Sequence, residues 1–82
     1  MLSETQKKAF NEFYKTARKN NTLDEKTTLL VHLAASMAVA CYPCMKHYLS
    51  QAEDSGVTEE EVGAVLSIVM AVSSGRVMMQ FN

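Results

Sequence analysis

Residues 23–47 read LDEKTTLLVHLAASMAVACYPCMKH, and this stretch decides the fold. Asp24 is a good helix N-cap, and the apolar run that follows predicts a helix to about Ala40. Apolar residues cover almost the whole circumference of this helix, which predicts burial on most of its sides. Pro43 cannot lie deep in a helix but suits a first turn. The chain is therefore predicted to break at residues 41–42 and to start a new helix there.

Two further helices are predicted on either side of this stretch. Ser3 and Gln6 fit a capping box, in which each side chain bonds a backbone N–H that the first turn leaves unpaired. The amphipathic helix that follows runs from about residue 4 to residue 19. The helix after the cysteines runs to about Ser55 and ends at Gly56, because glycine is the residue expected just beyond a helix C-terminus.

A fourth helix is predicted over about residues 59–73. Thr58 and Glu61 form a second capping box, and the acidic residues of the first turn suit the positive end of the helix dipole. The Ser-Ser-Gly sequence at 73–75 predicts a kink or short break before an apolar tail. No period-two alternation is visible, so the predicted class is all-α: about four helices plus a short C-terminal helical segment.

The chain has the size of one domain. Its 82 residues, of which 48% are hydrophobic, are near the length at which a single core is only marginally sufficient. We treat residues 1–82 as one helical domain, with an N-terminal helix in 1–22 and a core in 23–82. Two helices that are apolar nearly all round cannot both be covered by so short a chain. An obligate homo-oligomer is therefore expected.

Charge and hydropathy suggest a cytoplasmic protein without nucleic-acid or membrane partners. The formal net charge is −1, and the basic residues of the first helix are interpreted as a solvated face. The apolar stretches at 29–41 and 62–72 are shorter than the roughly 20 residues that span a bilayer. The N-terminus leads into charged residues rather than a signal peptide.

Both cysteines of the chain, Cys41 and Cys44, lie at the predicted helix restart. A thiol at a helix N-terminus has a lowered pKa, because the free N–H groups and the helix dipole favour the thiolate. A thiolate can attack a peroxide or a disulfide, and a second thiol nearby can resolve the intermediate. His47 lies one turn beyond Cys44, where an imidazole could carry the proton. This arrangement is typical of a dithiol oxidoreductase.

Other interpretations of the cysteine motif remain. A zinc site could use Cys41, Cys44 and His47, with His32 as the fourth ligand. Two inert cysteines in a helical core are a further alternative. A thioredoxin domain is disfavoured because no strands are predicted, and haem attachment requires a histidine where Met45 stands.

Several segments together carry a family resemblance: LDEKT at 23–27 before the alanine-rich helix, CYPC at 41–44, GVTEEEV at 56–62 and SGR at 74–76. In this order and spacing the chain resembles the carboxymuconolactone decarboxylase superfamily, in particular its AhpD-like alkylhydroperoxidase branch. The resemblance implies an all-helical subunit that assembles into trimers or hexamers.

The resemblance also implies thiol-based reduction of a peroxide or a disulfide, with Cys41 and Cys44 cycling between dithiol and disulfide. Such a cycle needs a thiol electron donor, and we expect no cofactor and no metal. The family's proton relay uses a histidine four residues after the second cysteine, where this chain has Tyr48, and a glutamate twelve before the first, where it has Leu29. His47 is one residue from the relay position, a rotation of about 100° around a helix.

We therefore predict an AhpD-like thiol oxidoreductase of the peroxidase and antioxidant type. Its candidate catalytic residues are Cys41, Cys44 and His47. Its substrate would be a small peroxide or a disulfide. The alternatives are a catalytically degenerate helical oligomer that serves as a binding or scaffold module, and a zinc-stabilised module.

Overall fold

The computed structural model describes residues 1–81, which form four helices joined by short loops. The helices are α1 (Glu4–Arg18), α2 (Glu25–Ala38), α3 (Tyr42–Asp54) and α4 (Glu59–Phe81). No strand occurs within the described residues. The predicted all-α class is confirmed.

The predicted starts of α1, α2 and α4 are confirmed by their caps. At α1 the Ser3 hydroxyl accepts from the Gln6 N–H at 3.1 Å, and the Gln6 side chain accepts from the Ser3 N–H at 2.9 Å. Asp24 accepts from the backbone N–H three residues on, at the start of α2. At α4 the Thr58 hydroxyl and the Glu61 carboxylate bond each other's backbone N–H groups. These are local interactions, which is why the sequence indicates them.

The break before α3 is built without glycine. Ala40 has φ 54°, in the left-handed region that an alanine rarely occupies. Its N–H donates to the Met37 carbonyl, and the Cys41 N–H donates to the Ser36 carbonyl. This bonding pattern is a Schellman motif, which closes the C-terminus of α2. Pro43 lies in the first turn of α3, as predicted.

The core lies where α2 packs against α3 and α4, with α1 in lighter contact. Its buried hydrophobic residues are Leu29, Leu33, Tyr48, Ala52 and Val65. These side chains come from α2, α3 and α4, which therefore share a single core. An ion pair between Lys26 and Glu61 also connects α2 to α4.

The predicted break at residues 73–75 is wrong, because α4 is one continuous helix of 23 residues that passes through this segment. The Ser74 hydroxyl donates to the Ala71 carbonyl of the preceding turn, at 3.1 Å. Gly75 has no heavy atom within 4 Å of where a Cβ would stand. One glycine in a helix costs only about 1 kcal/mol relative to alanine, so the apolar sequence on both sides keeps the helix continuous.

Most of α4 is exposed. Val65 is its one buried residue among those described, whereas Ile68, Met70 and Val72 are each at least 61% exposed. The apolar stretch at 62–72 is shorter than a bilayer span, but the whole helix, at 23 residues, is long and apolar enough to cross one. Such a helix is weak evidence for a membrane segment, because core helices of soluble proteins pass the same test. The burial predicted for α4 is not supplied by its own chain.

Candidate thiol site

The two cysteines form a disulfide at the start of α3. Cys41 is the N-cap residue and Cys44 lies in the first turn, with the sulfur atoms 2.05 Å apart. The Schellman motif that ends α2 turns the chain back at this point, so both cysteines lie beside a helix N-terminus. Both are half-buried, while Tyr42 and Pro43 between them are exposed. An external reactant can therefore approach the bond from the solvent side.

The start of α3 suits a sulfur that becomes negatively charged. The N-cap Cys41 makes no side-chain capping bond, so the side chain leaves first-turn N–H groups of α3 uncapped. These N–H groups and the helix dipole stabilise a thiolate formed there.

His47 is exposed on α3 and pairs with Gln51. Gln51 Oε1 accepts a hydrogen bond from the Arg18 guanidinium at 2.9 Å, so its Nε2 is the donor to His47 Nε2 at 3.0 Å. His47 Nε2 is then an acceptor, which places the proton of the neutral ring on Nδ1. The structure thus links this candidate to α1 through Gln51 and Arg18.

Tyr48 stands four residues after Cys44, and its side chain is only 7% exposed. Its hydroxyl lies 2.6 Å from the Tyr14 hydroxyl on α1. The His32 ring of α2 stacks on the Tyr48 ring with centroids 5.0 Å apart and lies 5.9 Å from the Tyr14 ring. We call Tyr14, His32 and Tyr48 the ring cluster. It joins α1, α2 and α3 in one contact.

Burial decides the protonation of the ring cluster. Loss of solvent around Tyr48, reinforced by its bond to Tyr14, raises the pKa of that phenol to about 12. Burial also lowers the pKa of His32, and the nearby charge of Arg18 lowers it further. At neutral pH Tyr48 therefore keeps its proton and the His32 imidazole is uncharged. The cluster offers hydroxyl protons without a net charge.

Two positions bear on the relay and zinc interpretations. Leu29, at the position of the relay glutamate, is 2% exposed and belongs to the core. Within residues 1–81 no three histidine, cysteine, aspartate or glutamate side chains lie close enough together to hold a metal ion. His32 stacks on Tyr48, and the two sulfurs bond each other. The zinc alternative thus finds no supporting set of ligands in this part of the chain.

The sequence did not reveal the ring cluster as a unit. The sequence points to His32 only as a possible fourth zinc ligand and to Tyr48 only as the residue at the family's relay position. The hydroxyl pair joins residues 34 positions apart, which no local pattern encodes. The available signal was the spacing of Cys44 and Tyr48, because residues four apart lie on the same face of a helix.

Comparisons with known proteins identify the family and support the fold. The sequence model of the carboxymuconolactone decarboxylase family matches residues 6–81. A crystal structure of a structural-genomics protein from Methanobacterium thermoautotrophicum is similar, with a TM-score of 0.89 and 26% sequence identity. The alignment covers 93% of this chain and 85% of that one. No curated protein matches the sequence.

Proposed function

Because the chain belongs to the carboxymuconolactone decarboxylase family, we propose that it is an AhpD-like thiol oxidoreductase that works through Cys41 and Cys44. The observation that carries the proposal is the disulfide between these residues at the N-terminus of α3. This disulfide is the oxidised member of the proposed cycle. The half-buried cysteines and the exposed residues between them support access by a small substrate.

The proposed cycle balances with a hydroperoxide as oxidant and an external dithiol as reductant. One cysteine thiolate attacks the terminal peroxide oxygen, which releases an alcohol and leaves a sulfenic acid. The second thiol attacks the sulfenic sulfur, which forms the Cys41–Cys44 disulfide and releases water. The external dithiol then returns two electrons by thiol–disulfide exchange and becomes a disulfide itself. With a disulfide as substrate, the first step is a thiol–disulfide exchange instead.

Thiol titration tests the proposal directly. The reduced protein should lose both of its thiols on exposure to an alkyl hydroperoxide and consume the peroxide. Cys41→Ser and Cys44→Ser should each prevent the intramolecular disulfide, and the variant without the attacking cysteine should consume no peroxide. Ser50→Ala, an exposed change on the same helix, is the matched control. If hydroperoxide leaves the wild-type thiols intact and both cysteine variants match wild type, the proposal is wrong.

A second candidate function is a catalytically inactive binding or scaffold module. Leu29 in the core and Tyr48 in the ring cluster favour it, because neither is the relay residue of the family. This alternative predicts a wild type that does not react with hydroperoxide. It also predicts that the Cys41→Ser/Cys44→Ser double variant has the same assembly state as wild type.

We further propose that the chain assembles as a homo-oligomer, as a trimer or hexamer. The isolated chain exposes 6713 Å², whereas a folded monomer of 9.1 kDa should expose about 4,900 Å². The excess is larger than the roughly 800 Å² that each partner buries in a standard interface. Large apolar residues of α4 contribute to this surface, for example Ile68 and Met70.

Sedimentation velocity in detergent-free buffer measures the assembly state. Wild type should sediment as a trimer or larger, and Ile68→Glu should sediment as smaller species because it places a charge on the exposed face of α4. Lys8→Glu, on the exposed part of α1, is the matched charge control. A monomeric wild type at micromolar concentration would contradict the proposal, and a need for detergent would point to a membrane instead.

A further inference from the structure

Tyr48 is the buried polar side chain that follows Cys44 by one helical turn. We propose that its hydroxyl donates a hydrogen bond to the Cys44 sulfur when the disulfide opens, and that Tyr14 and His32 are positioning residues for that hydroxyl. The inference rests on the proposed function, because it assigns a role within the same dithiol cycle. It also replaces His47 as the residue that assists the thiols.

Cys44 and Tyr48 lie on the same helix, one turn apart. Cys44 and Tyr48 are four residues apart, so their Cβ atoms are about 6 Å apart on one face of the helix. Side chains on a helix lean toward its N-terminus, which directs Tyr48 toward the turn that holds Cys44. Cys44 packs against the buried core to which Tyr48 belongs. His47 lies one position around the helix and is exposed.

The hydroxyl pair has one proton more than its own bond uses. Tyr14 and Tyr48 each carry a phenolic proton, and one proton fills the 2.6 Å bond between the two oxygens. When Tyr14 donates to Tyr48, the Tyr48 proton remains for a third acceptor. A sulfur that has just received an electron pair is such an acceptor. Because the pKa of Tyr48 is raised to about 12, this phenol acts as a donor and not as a base near neutral pH.

The residues around Tyr48 hold its ring in place, and few of them carry a charge. His32 stacks on one side at 5.0 Å, and Val65 of α4 belongs to the same core. The titratable or charged groups that face Tyr48 are Tyr14 and Arg18 from α1, His32 from α2 and His47 from its own helix. Of these, the Arg18 guanidinium acts against the other influences and favours a negative charge nearby.

The assisted step is the reduction of the disulfide. A thiolate of the external dithiol attacks the Cys41 sulfur and forms a mixed disulfide. The Cys41–Cys44 bond breaks, and its electron pair leaves on the Cys44 sulfur, where the Tyr48 hydroxyl donates its hydrogen bond. The second thiol of the reductant then attacks its own sulfur in the mixed disulfide, which releases Cys41 as a thiolate. A better stabilised leaving group makes the first exchange faster.

The test measures the pH midpoint of thiolate formation at each cysteine. In Cys41→Ser protein the single thiol is Cys44, and its alkylation rate by iodoacetamide against pH gives the midpoint. Adding Tyr48→Phe should raise this midpoint by about one pH unit, which is a tenfold lower thiolate fraction below both midpoints. In the matched Cys44→Ser protein, where the single thiol is Cys41, Tyr48→Phe should move the midpoint much less.

Three results would overturn the inference. They are an unchanged Cys44 midpoint in Tyr48→Phe, an equal shift at Cys41, and a shift in His47→Gln as large as that in Tyr48→Phe. Circular dichroism establishes that each variant folds. If Tyr48→Phe does not fold, the Tyr14→Phe/Tyr48→Phe double variant takes its place, because replacing both paired hydroxyls leaves neither one buried without a partner. It should also raise the Cys44 midpoint, and no change would overturn the inference.

Failure of this inference can be told apart from failure of the proposed function, because the alkylation experiment contains no peroxide. A Cys44 midpoint that depends on Tyr48, in a protein that consumes no hydroperoxide, would support the contact and refute the function. Hydroperoxide turnover with a midpoint independent of Tyr48 would support the function and refute the contact.

Discussion

The hydroxyl pair of Tyr14 and Tyr48 makes a quantitative prediction about stability. Tyr14→Phe leaves the Tyr48 hydroxyl buried without its partner, which should cost about 1–3 kcal/mol of unfolding free energy. Tyr48→Phe should cost about 0.5–1.5 kcal/mol, because the half-buried Tyr14 hydroxyl can turn to water. The double variant replaces both groups with apolar rings of the same shape, so it should lie close to wild type.

A double-mutant cycle tests this asymmetry. Urea unfolding of the four proteins is followed by circular dichroism at 222 nm, at pH 7 and one protein concentration, because assembly makes stability depend on concentration. Tyr14→Phe should be the least stable, and the coupling free energy should be at least about 1 kcal/mol, within the range of residues in contact. Single-variant effects that add within about 0.3 kcal/mol would show that the two hydroxyls are not paired, and would refute the reasoning.

Further predictions concern glycines, the core and pH. Gly75→Ala should stabilise the protein by about 0.5–1 kcal/mol because it lies in open space within α4, whereas Gly56→Ala, at φ 76°, should destabilise it by about 1 kcal/mol; thermal unfolding compares the two. Leu33→Ala should cost about 2–5 kcal/mol in urea unfolding, because Leu33 is fully buried. The pKa of His32 is lowered from 6.5 in the folded protein, so the folded state binds the proton less readily than the unfolded chain. The contribution of His32 to the free energy of unfolding is therefore present above pH 6.5 and is lost as the pH falls below that value. His32→Phe should flatten the loss of stability between pH 7 and 5. The pKa of Tyr48 is raised from 10.0 to about 12, so its contribution to the free energy of unfolding is complete below pH 10 and is lost as the pH rises toward 12. Tyr48→Phe should flatten this alkaline loss of stability.

The sequence predicted those parts of the fold that depend on local chemistry. Ser3 and Asp24 indicate the starts of the first two helices, because a capping side chain bonds a backbone N–H three residues further on. The end of α4 was predicted wrongly because the preference of one glycine is weak beside a continuing apolar helix. Pro43 predicts the break at residues 41–42, but the break lies slightly earlier, because α2 ends at Ala38 and α3 already begins at Tyr42. Nothing in the sequence indicates that Ala40 lies in the left-handed region.

The same division holds for the candidate site. The spacing of Cys41 and Cys44 was enough to predict that they could share one bond, because three residues of chain keep them close. The ring cluster depends on how α1 packs against α3. The packing of helices that are far apart in the chain cannot be predicted from a short segment of sequence. His47 looked suitable by spacing alone, but the structure gives it Gln51 as its hydrogen-bond partner.

The disulfide between Cys41 and Cys44 closes a loop of only four residues. By the chain-entropy estimate, a cross-link of this size restricts the unfolded chain by about 1.9 kcal/mol, against about 4.7 kcal/mol for a loop of 100 residues. The disulfide therefore stabilises the fold only weakly, and the helices are held together by the core that α2, α3 and α4 form. Opening and closing it should change thiol chemistry at one helix end while the rest of the domain stays folded. Because losing this cross-link lowers the free energy of unfolding only slightly, it suits a redox cycle better than structural reinforcement.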